Sequence, residues 1–275
     1  MSVGRAVKRR LVDLGVRVTE VGLSRIGVPP PHALLLLGHM RSGSTLLLHL
    51  LANHPQIAAI GERNATYLTP ADLARLALRI RLAGRLPLTR LRYVADQVNH
   101  NQFTPRPELF AHPRVRLLFL LRRPEASIRS LLELTRTYYQ PWSVERAVDY
   151  YVERLRTLAG YGVGASGAGP LIQERAALIT YEELTERPRE TLAGLQGFLR
   201  TEPAFSETYQ LHDFTGTRGD PGARIRTGRI GRPRAGDDVP LPAQERERAR
   251  SAYDLCLEAL APLALTALGA RASRP

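Results

Sequence analysis

The run Leu35-Leu36-Leu37-Gly38-His39-Met40-Arg41-Ser42-Gly43-Ser44-Thr45 decides how this 275-residue chain is read. Five apolar residues, Ala33–Leu37, form a continuous stretch that suits a strand buried on both faces. A short polar turn with two glycines follows. From Ser44 to Asn53 the apolar residues recur at helical spacing. A strand, a glycine-bounded turn and a helix make an anion grip. Glycine lets the backbone approach closely, and the first N–H groups of the helix have no intrahelical acceptor. Gly38, Gly43 and Thr45 occupy the two glycine positions and the hydroxyl position of a P-loop. The P-loop lysine position holds Ser44, and the positive charge sits at Arg41 instead. Ser42, Ser44 and Thr45 add hydroxyl donors.

Outward from this turn, strands and helices alternate. Ile57–Ile60 reads as a second strand ending at Gly61-Glu62, residues 70–84 as an amphipathic helix, and Arg92–Ala95 as a further strand. Val115–Leu121 is the strongest apolar run and is predicted to be central. Pro124–Tyr138, residues 143–160, Pro188–Leu199 and residues 243–268 are predicted helices, with Leu178–Thr180 a short strand. Residues 212–237, rich in Gly, Arg and Asp, read as a long loop. Residues 1–27 read as a basic amphipathic helix halted by Pro29–Pro31. The expected organisation is a basic helical extension over 1–30 and one domain over 31–275. The alternation predicts a three-layer α/β fold, a mostly parallel sheet with helices on both faces.

Composition narrows the chemistry. Cys256 is the single cysteine, which excludes an intrachain disulfide and a cysteine-cluster metal site. Its apolar neighbours predict burial. No apolar run reaches the ~20 residues that span a bilayer. The N-terminal basic residues are not followed by a signal-peptide core, so a cytoplasmic protein without stable membrane insertion is expected. The net charge of +13 is carried by arginine, with Lys8 the only lysine. Aromatic residues make up 6%. They do not interleave with the basic stretches, which argues against a nucleic-acid partner.

A second anion site is predicted in Arg122-Arg123-Pro124-Glu125-Ala126-Ser127-Ile128-Arg129-Ser130. Arg122 ends a buried strand, where open α/β sheets hold their ligands. Ser127 and Ser130 share a helix face and are expected to present hydroxyls toward the same anion. Two arginines at this strand end would repel the magnesium that a kinase or nucleotide hydrolase holds with a Walker-B aspartate.

The two segments together resemble the signatures of the sulfotransferases that use 3′-phosphoadenosine 5′-phosphosulfate (PAPS). In that family a strand–loop–helix like Arg41–Thr45 binds the 5′-phosphosulfate. A second strand–helix, with Arg and Ser spaced as Arg122 and Ser130 are, binds the 3′-phosphate. The segment Thr180–Leu184 with Arg187-Pro188 is similar to one recurrent in bacterial members. Arg226–Arg232 looks like the basic glycine loop over the 3′-phosphate, with Arg229, Gly231 and Arg232 as its matches. Arginine rather than lysine at position 41 is similar to the bacterial and carbohydrate-type branches.

The resemblance implies a P-loop NTPase-like sulfotransferase fold. It also implies PAPS as co-substrate without a metal, and transfer of a sulfuryl group to a hydroxyl or amine of a small-molecule, lipid or carbohydrate acceptor. Arg41 is then a catalytic as well as a binding residue, and Arg41, Ser42, Gly43, Ser44, Thr45, Arg122 and Ser130 form the nucleotide site. Glu62 is the first candidate for the base that takes the acceptor's proton, and His100 the second; His39 and His54 rank below them. Helices in 64–92 and 131–160 are expected to wall the acceptor pocket. Three other readings stay open at this point: a P-loop kinase or hydrolase, a non-enzymatic basic binding protein, and a degenerate member that binds without transferring. Acceptor identity and homo-oligomerisation are left open too.

Overall fold

The computed structural model describes residues 29–83, 91–162, 174–216, 222–231 and 241–265. Most of the expected N-terminal helical extension, and Arg232, lie outside the described residues. The chain order is β1 (His32–Leu37), α1 (Ser44–Ala52), β2 (Ile57–Ala59), α2 (Pro70–Leu82), β3 (Tyr93–Val98), β4 (Val115–Leu121), α3 (Pro124–Tyr138), α4 (Val144–Gly162), β5 (Ala176–Thr180), α5 (Tyr181–Glu186), α6 (Pro188–Leu199) and α7 (Ala243–Leu260).

The five strands form one sheet in the order β2-β3-β1-β4-β5, and every pairing is parallel. The first strand therefore lies in the middle, flanked by β3 and β4. The period-2 alternation of a strand sends Leu35 and Leu37 to one face, and Leu34 and Leu36 to the other. Leu35 and Leu37 pack with Ile80 of α2, Ile128 and Leu131 of α3, Leu155 of α4 and Cys256 of α7. Leu34 and Leu36 pack with Leu47 and Leu51 of α1 and Leu192, Leu195 and Leu199 of α6. Both faces of the sheet are thus covered by helices, which is why Ala33–Leu37 of β1 shows no polar alternation. This is the α/β architecture that the sequence predicts.

Three differences have local causes. The strand expected over Arg92–Ala95 begins one residue later and runs on to Val98, through the buried Asp96 and Gln97. Residues with low strand propensity are held there because β3 is hydrogen-bonded on both sides, to β1 and β2. A helix not foreseen, α5, starts at Tyr181. Thr180 accepts from the Glu183 N–H, and the Glu183 carboxylate accepts in return from the Thr180 N–H, a capping box. The closing helix ends at Leu260 rather than 268 and passes into a 3-10 turn over Ala261–Leu263. Pro262 brings a ring that crowds the preceding turn.

Within 212–237, the described part contains a 3-10 turn, Ala223–Thr227, and an antiparallel bridge from Thr208 to Arg229. Ile225 anchors this turn in the α1/α6 side of the core. No described helix is long and apolar enough to cross a membrane.

Candidate anion-binding and transfer site

The carboxyl ends of β1, β3 and β4 meet at one edge of the sheet, and the loop after each carries a predicted site residue. The loop after β1 is tightly wound. Arg41 adopts a left-handed φ of 67° and Gly43 one of 92°. Gly43 has a second reason to be glycine: a Cβ there would overlap the Tyr181 ring. The buried guanidinium of Arg154 fastens the loop from below. It donates to the Gly38 carbonyl at 2.7 Å and to the Val98 carbonyl at 2.6 Å, tying the ends of β1 and β3 together. Tyr150 does the same from the side, accepting from the Met40 N–H at 2.8 Å and donating to the Asn99 carbonyl at 2.7 Å.

The two predicted anion segments come together. Arg41 Nε donates to Ser130 Oγ at 2.8 Å, and Arg122 Nη1 donates to the Arg41 carbonyl at 3.0 Å. Arg122 is only 8% exposed, and its guanidinium lies 4.3 Å from the centre of the Tyr181 ring. Burial lowers its proton affinity, and the positive charges of Arg41 and Arg224 lower it further, against the opposing pull of Tyr181 and Glu182. Among the described residues no carboxylate is bonded to this guanidinium, and its Nε has no hydrogen-bond partner. A buried cation without a bonded counterion is costly. The arrangement suits an anion from outside the chain.

Ser127 does not take the predicted role. Its hydroxyl turns back to the Arg123 carbonyl at 2.8 Å, inside the first turn of α3, and Ser130 alone reaches the loop. Ser42 Oγ is buried and without a partner, held inside the loop beneath Gly38. Ser44 and Thr45 open α1, and both are largely buried. Arg229 and Gly231 are exposed, Arg229 at the bridge to Thr208. Arg224, on the same segment, is near enough to act on Arg122 electrostatically. Sequence reading missed it, along with Tyr181, whose ring supports both Arg122 and the glycine turn.

The candidate bases also converge. Asn99, at the end of β3, donates through Nδ2 to Ser44 Oγ and to Glu62 Oε1, both at 3.1 Å. One amide thereby joins the phosphate loop to the first candidate base. Burial raises the Glu62 pKa, with the hydrogen bond from Asn99 and the nearby Gln97 side chain opposing. His100 Nε2 lies 3.8 Å from Glu62 Oε1. Burial, then the nearby Arg154 charge, lowers the His100 pKa, so the contact joins a carboxylate to a neutral ring rather than an ion pair. His39 is fully buried, its pKa pushed down to about 3 by burial. Its Nδ1 faces the Met40 carbonyl at 2.9 Å and its Nε2 accepts from the Arg122 N–H at 3.2 Å. It splices the two anion segments and is no base. His54 is bonded to the Pro203 carbonyl, on the far side of α1.

A cleft of about 630 Å³ opens on this edge. Arg41, Ser44 and Thr45 form one wall and Glu62 and His100 another, while Leu131, Leu134, Tyr139, Trp142 and Tyr150 supply an apolar and aromatic third. Polar and charged groups at one end and an apolar remainder suit a small organic molecule. Among the described residues no group of three or more His, Cys, Asp or Glu is arranged to hold a metal ion.

No family model matches the chain, and no curated protein does. Three solved structures are similar in the course of the chain. A sulfotransferase domain from the curacin biosynthetic pathway is 17% identical, with 82% of this chain and 97% of that one covered and a TM-score of 0.45. A mouse sulfotransferase complexed with PAP is 12% identical, over 64% and 60% of the two chains, with a TM-score of 0.43. A retinol dehydratase in complex with retinol and PAP is 15% identical, over 84% and 82%, with a TM-score of 0.41.

Proposed function

We propose that this protein is a PAPS-dependent sulfotransferase that moves a sulfuryl group to a hydroxyl or amine of a small-molecule, lipid or carbohydrate acceptor. The observation that carries the reading is the buried Arg122 guanidinium. Among the described residues it has no bonded carboxylate, and it is joined through the Arg41 carbonyl to a glycine turn whose arginine reaches Ser130. Two anion grips side by side fit a nucleotide with phosphate on both the 5′ and 3′ oxygens. Arg41, Ser42, Gly43, Ser44 and Thr45 serve the 5′ end, and Arg122 and Ser130 the 3′ end. Arg229, Gly231 and Arg232 are proposed to cover that 3′ end. The crowd of arginines favours an anion without magnesium, against the kinase reading.

In this reading the acceptor oxygen attacks sulfur in line, and the bond from sulfur to the phosphate oxygen breaks. 3′-Phosphoadenosine 5′-phosphate (PAP) leaves, and the acceptor's proton passes to Glu62. Positioning and charge stabilisation supply most of the rate in such transfers. Arg41 and the N–H groups of the turn neutralise charge on the departing phosphate. Glu62 suits the base because burial raises its proton affinity while Asn99 fixes its direction toward the loop. His100, 3.8 Å away, is the second candidate.

Isothermal titration with PAP, in the absence of magnesium, tests the assignment. Binding weakened by Arg122→Ala and by Ser130→Ala is expected. An affinity for AMP equal to that for PAP, or no binding of PAP, would refute it. Glu62→Gln is expected to retain PAP binding while losing transfer of labelled sulfate from PAPS.

A further inference from the structure

Glu62 sits on a loop, residues 61–67, that belongs to no helix or strand. Two of its residues take left-handed backbone angles, Gly61 at φ 84° and Asn64 at φ 49°. A segment of this kind keeps one shape only if its polar groups are tied down. The tie is a carboxylate on the next strand. Asp96 of β3 is fully buried. Its Oδ1 accepts from the Arg63 N–H at 3.1 Å and from the Gln97 N–H at 2.9 Å. Its Oδ2 accepts from the Tyr67 hydroxyl at 2.5 Å. Arg63 directly follows the glutamate, and Tyr67 closes the loop, so one carboxylate holds both sides of the segment. Tyr67 is itself buried, and its carbonyl accepts from the Arg106 N–H at 2.9 Å.

We infer that Asp96 is the positioning residue for Glu62: it fixes the loop that aims Glu62 at Asn99 and the phosphate turn. The inference rests on the reading of Glu62 as the acceptor's base. Its physical ground is the choice of side chain. Three donors converge on Asp96, and each is a neutral group. An amide has one acceptor oxygen for the two N–H groups, and its NH2 could not accept from the Tyr67 hydroxyl. What only the acid adds is a second acceptor oxygen. Its ionised form is under tension: burial pushes the Asp96 pKa up to about 7 and Glu62 adds to the rise, while the Tyr67 hydroxyl, the Arg63 N–H and the Arg63 side-chain charge pull it down. Arg79, from α2, acts on the same pair through Tyr67.

Two variants loosen the tie to different degrees. Asp96→Ala removes all three contacts. Tyr67→Phe keeps the carboxyl and removes one. The readouts need no acceptor: the pH at which the Glu62 carboxyl titrates, by carbon-13 NMR of labelled glutamate, and hydrogen exchange at the Arg63 amide. In Asp96→Ala the Glu62 midpoint is expected to fall toward the ordinary carboxylate value, as the loosened loop no longer keeps the carboxyl buried. In Tyr67→Phe exchange at Arg63 is expected to rise about tenfold or more, as local opening becomes easier. An unchanged Glu62 midpoint in Asp96→Ala would overturn the inference, and so would unchanged exchange in Tyr67→Phe. Titration of the unaltered protein with PAP is run beside them. Failure there would sink the sulfotransferase reading while the coupling of Asp96 to Glu62 is still read independently.

Discussion

Replacing Gly43 by alanine is the sharpest perturbation of the anion site, because two separable costs meet at one atom. The first is conformational. Gly43 holds a φ of 92°, and an L-residue in the left-handed region costs about 1 kcal/mol or somewhat more. The second is steric. The new Cβ would overlap Tyr181 Cδ2 and lie 2.9 Å from Cε2, so the ring must move. That ring lies 4.3 Å beneath the Arg122 guanidinium, and such a contact is worth about 1 kcal/mol when partly desolvated. The sum is about 2–3 kcal/mol, read as a lower urea midpoint at unchanged slope. PAP affinity should fall along with it, since Arg122 loses its support. The two costs part in a double-mutant cycle. In a Tyr181→Ala background the clash is gone, and Gly43→Ala should cost only about 1 kcal/mol, the conformational part. An equal cost in both backgrounds would refute the argument that Tyr181 and the turn are packed as one unit.

Stability should depend on pH through two buried groups that act in opposite directions. Asp96 has its pKa raised by burial to about 7, so the native state holds a proton that the unfolded chain has released. Its contribution is present below about pH 4 and is lost as pH rises toward 7. His39 has its pKa lowered to about 3, so its contribution is present above about pH 6.5 and is lost as pH falls toward 3. Urea titrations from pH 4 to 8 should show Asp96→Asn gaining most over the unaltered protein at the alkaline end; a constant difference would contradict this. Arg41→Ala should lower the transfer rate by about a hundredfold or more, on the order of 3 kcal/mol, in a labelled-PAPS assay. Cys256 is fully buried, with its thiol pushed up to about 12 by burial. A colorimetric thiol reagent should therefore label it only once denaturant unfolds the chain.

What could be seen in the sequence was whatever short-range chemistry decides. Leu34–Leu37 is a strand buried on both faces because nothing polar interrupts it, and the glycines beside it mark the turn. Pro124 and Pro188 open α3 and α6 because a residue without an N–H loses nothing at a helix start. A signal for α5 was present as well, in the Thr180–Glu183 capping box, but six residues are too few for a periodic pattern to reveal. The partners were not visible. Ser127 and Ser130 are equal by spacing, and only the packing of α3 turns one inward and aims the other at Arg41. Asp96 and Asn99 look like loop residues, since neither favours a strand. Their roles follow from β3 lying between β1 and β2, which puts one beside the Glu62 loop and the other beside Ser44.

Burial, not number, distinguishes the arginines that bear on function. A run of basic residues in an arginine-rich chain says little, because an exposed guanidinium is well solvated anywhere. Arg154 and Arg122 are both buried, and the structure treats them differently. Arg154 spends its donors on the carbonyls of Gly38 and Val98, with a longer contact to the Asn101 side chain, so its charge is spread over backbone dipoles and its task is to hold two strand ends together. Arg122 gives one donor to the Arg41 carbonyl, rests on an aromatic face and faces two further cations. Replacing Arg154 should therefore destabilise the fold without selectivity among nucleotides. Replacing Arg122 should cost less stability than replacing Arg154, because relieved repulsion and desolvation offset the lost ring contact and hydrogen bond, and it should abolish the preference for PAP over AMP. A loss of stability in Arg122→Ala comparable to that in Arg154→Ala would mean that Arg122, too, is a structural cation, and the anion site would lose its foundation.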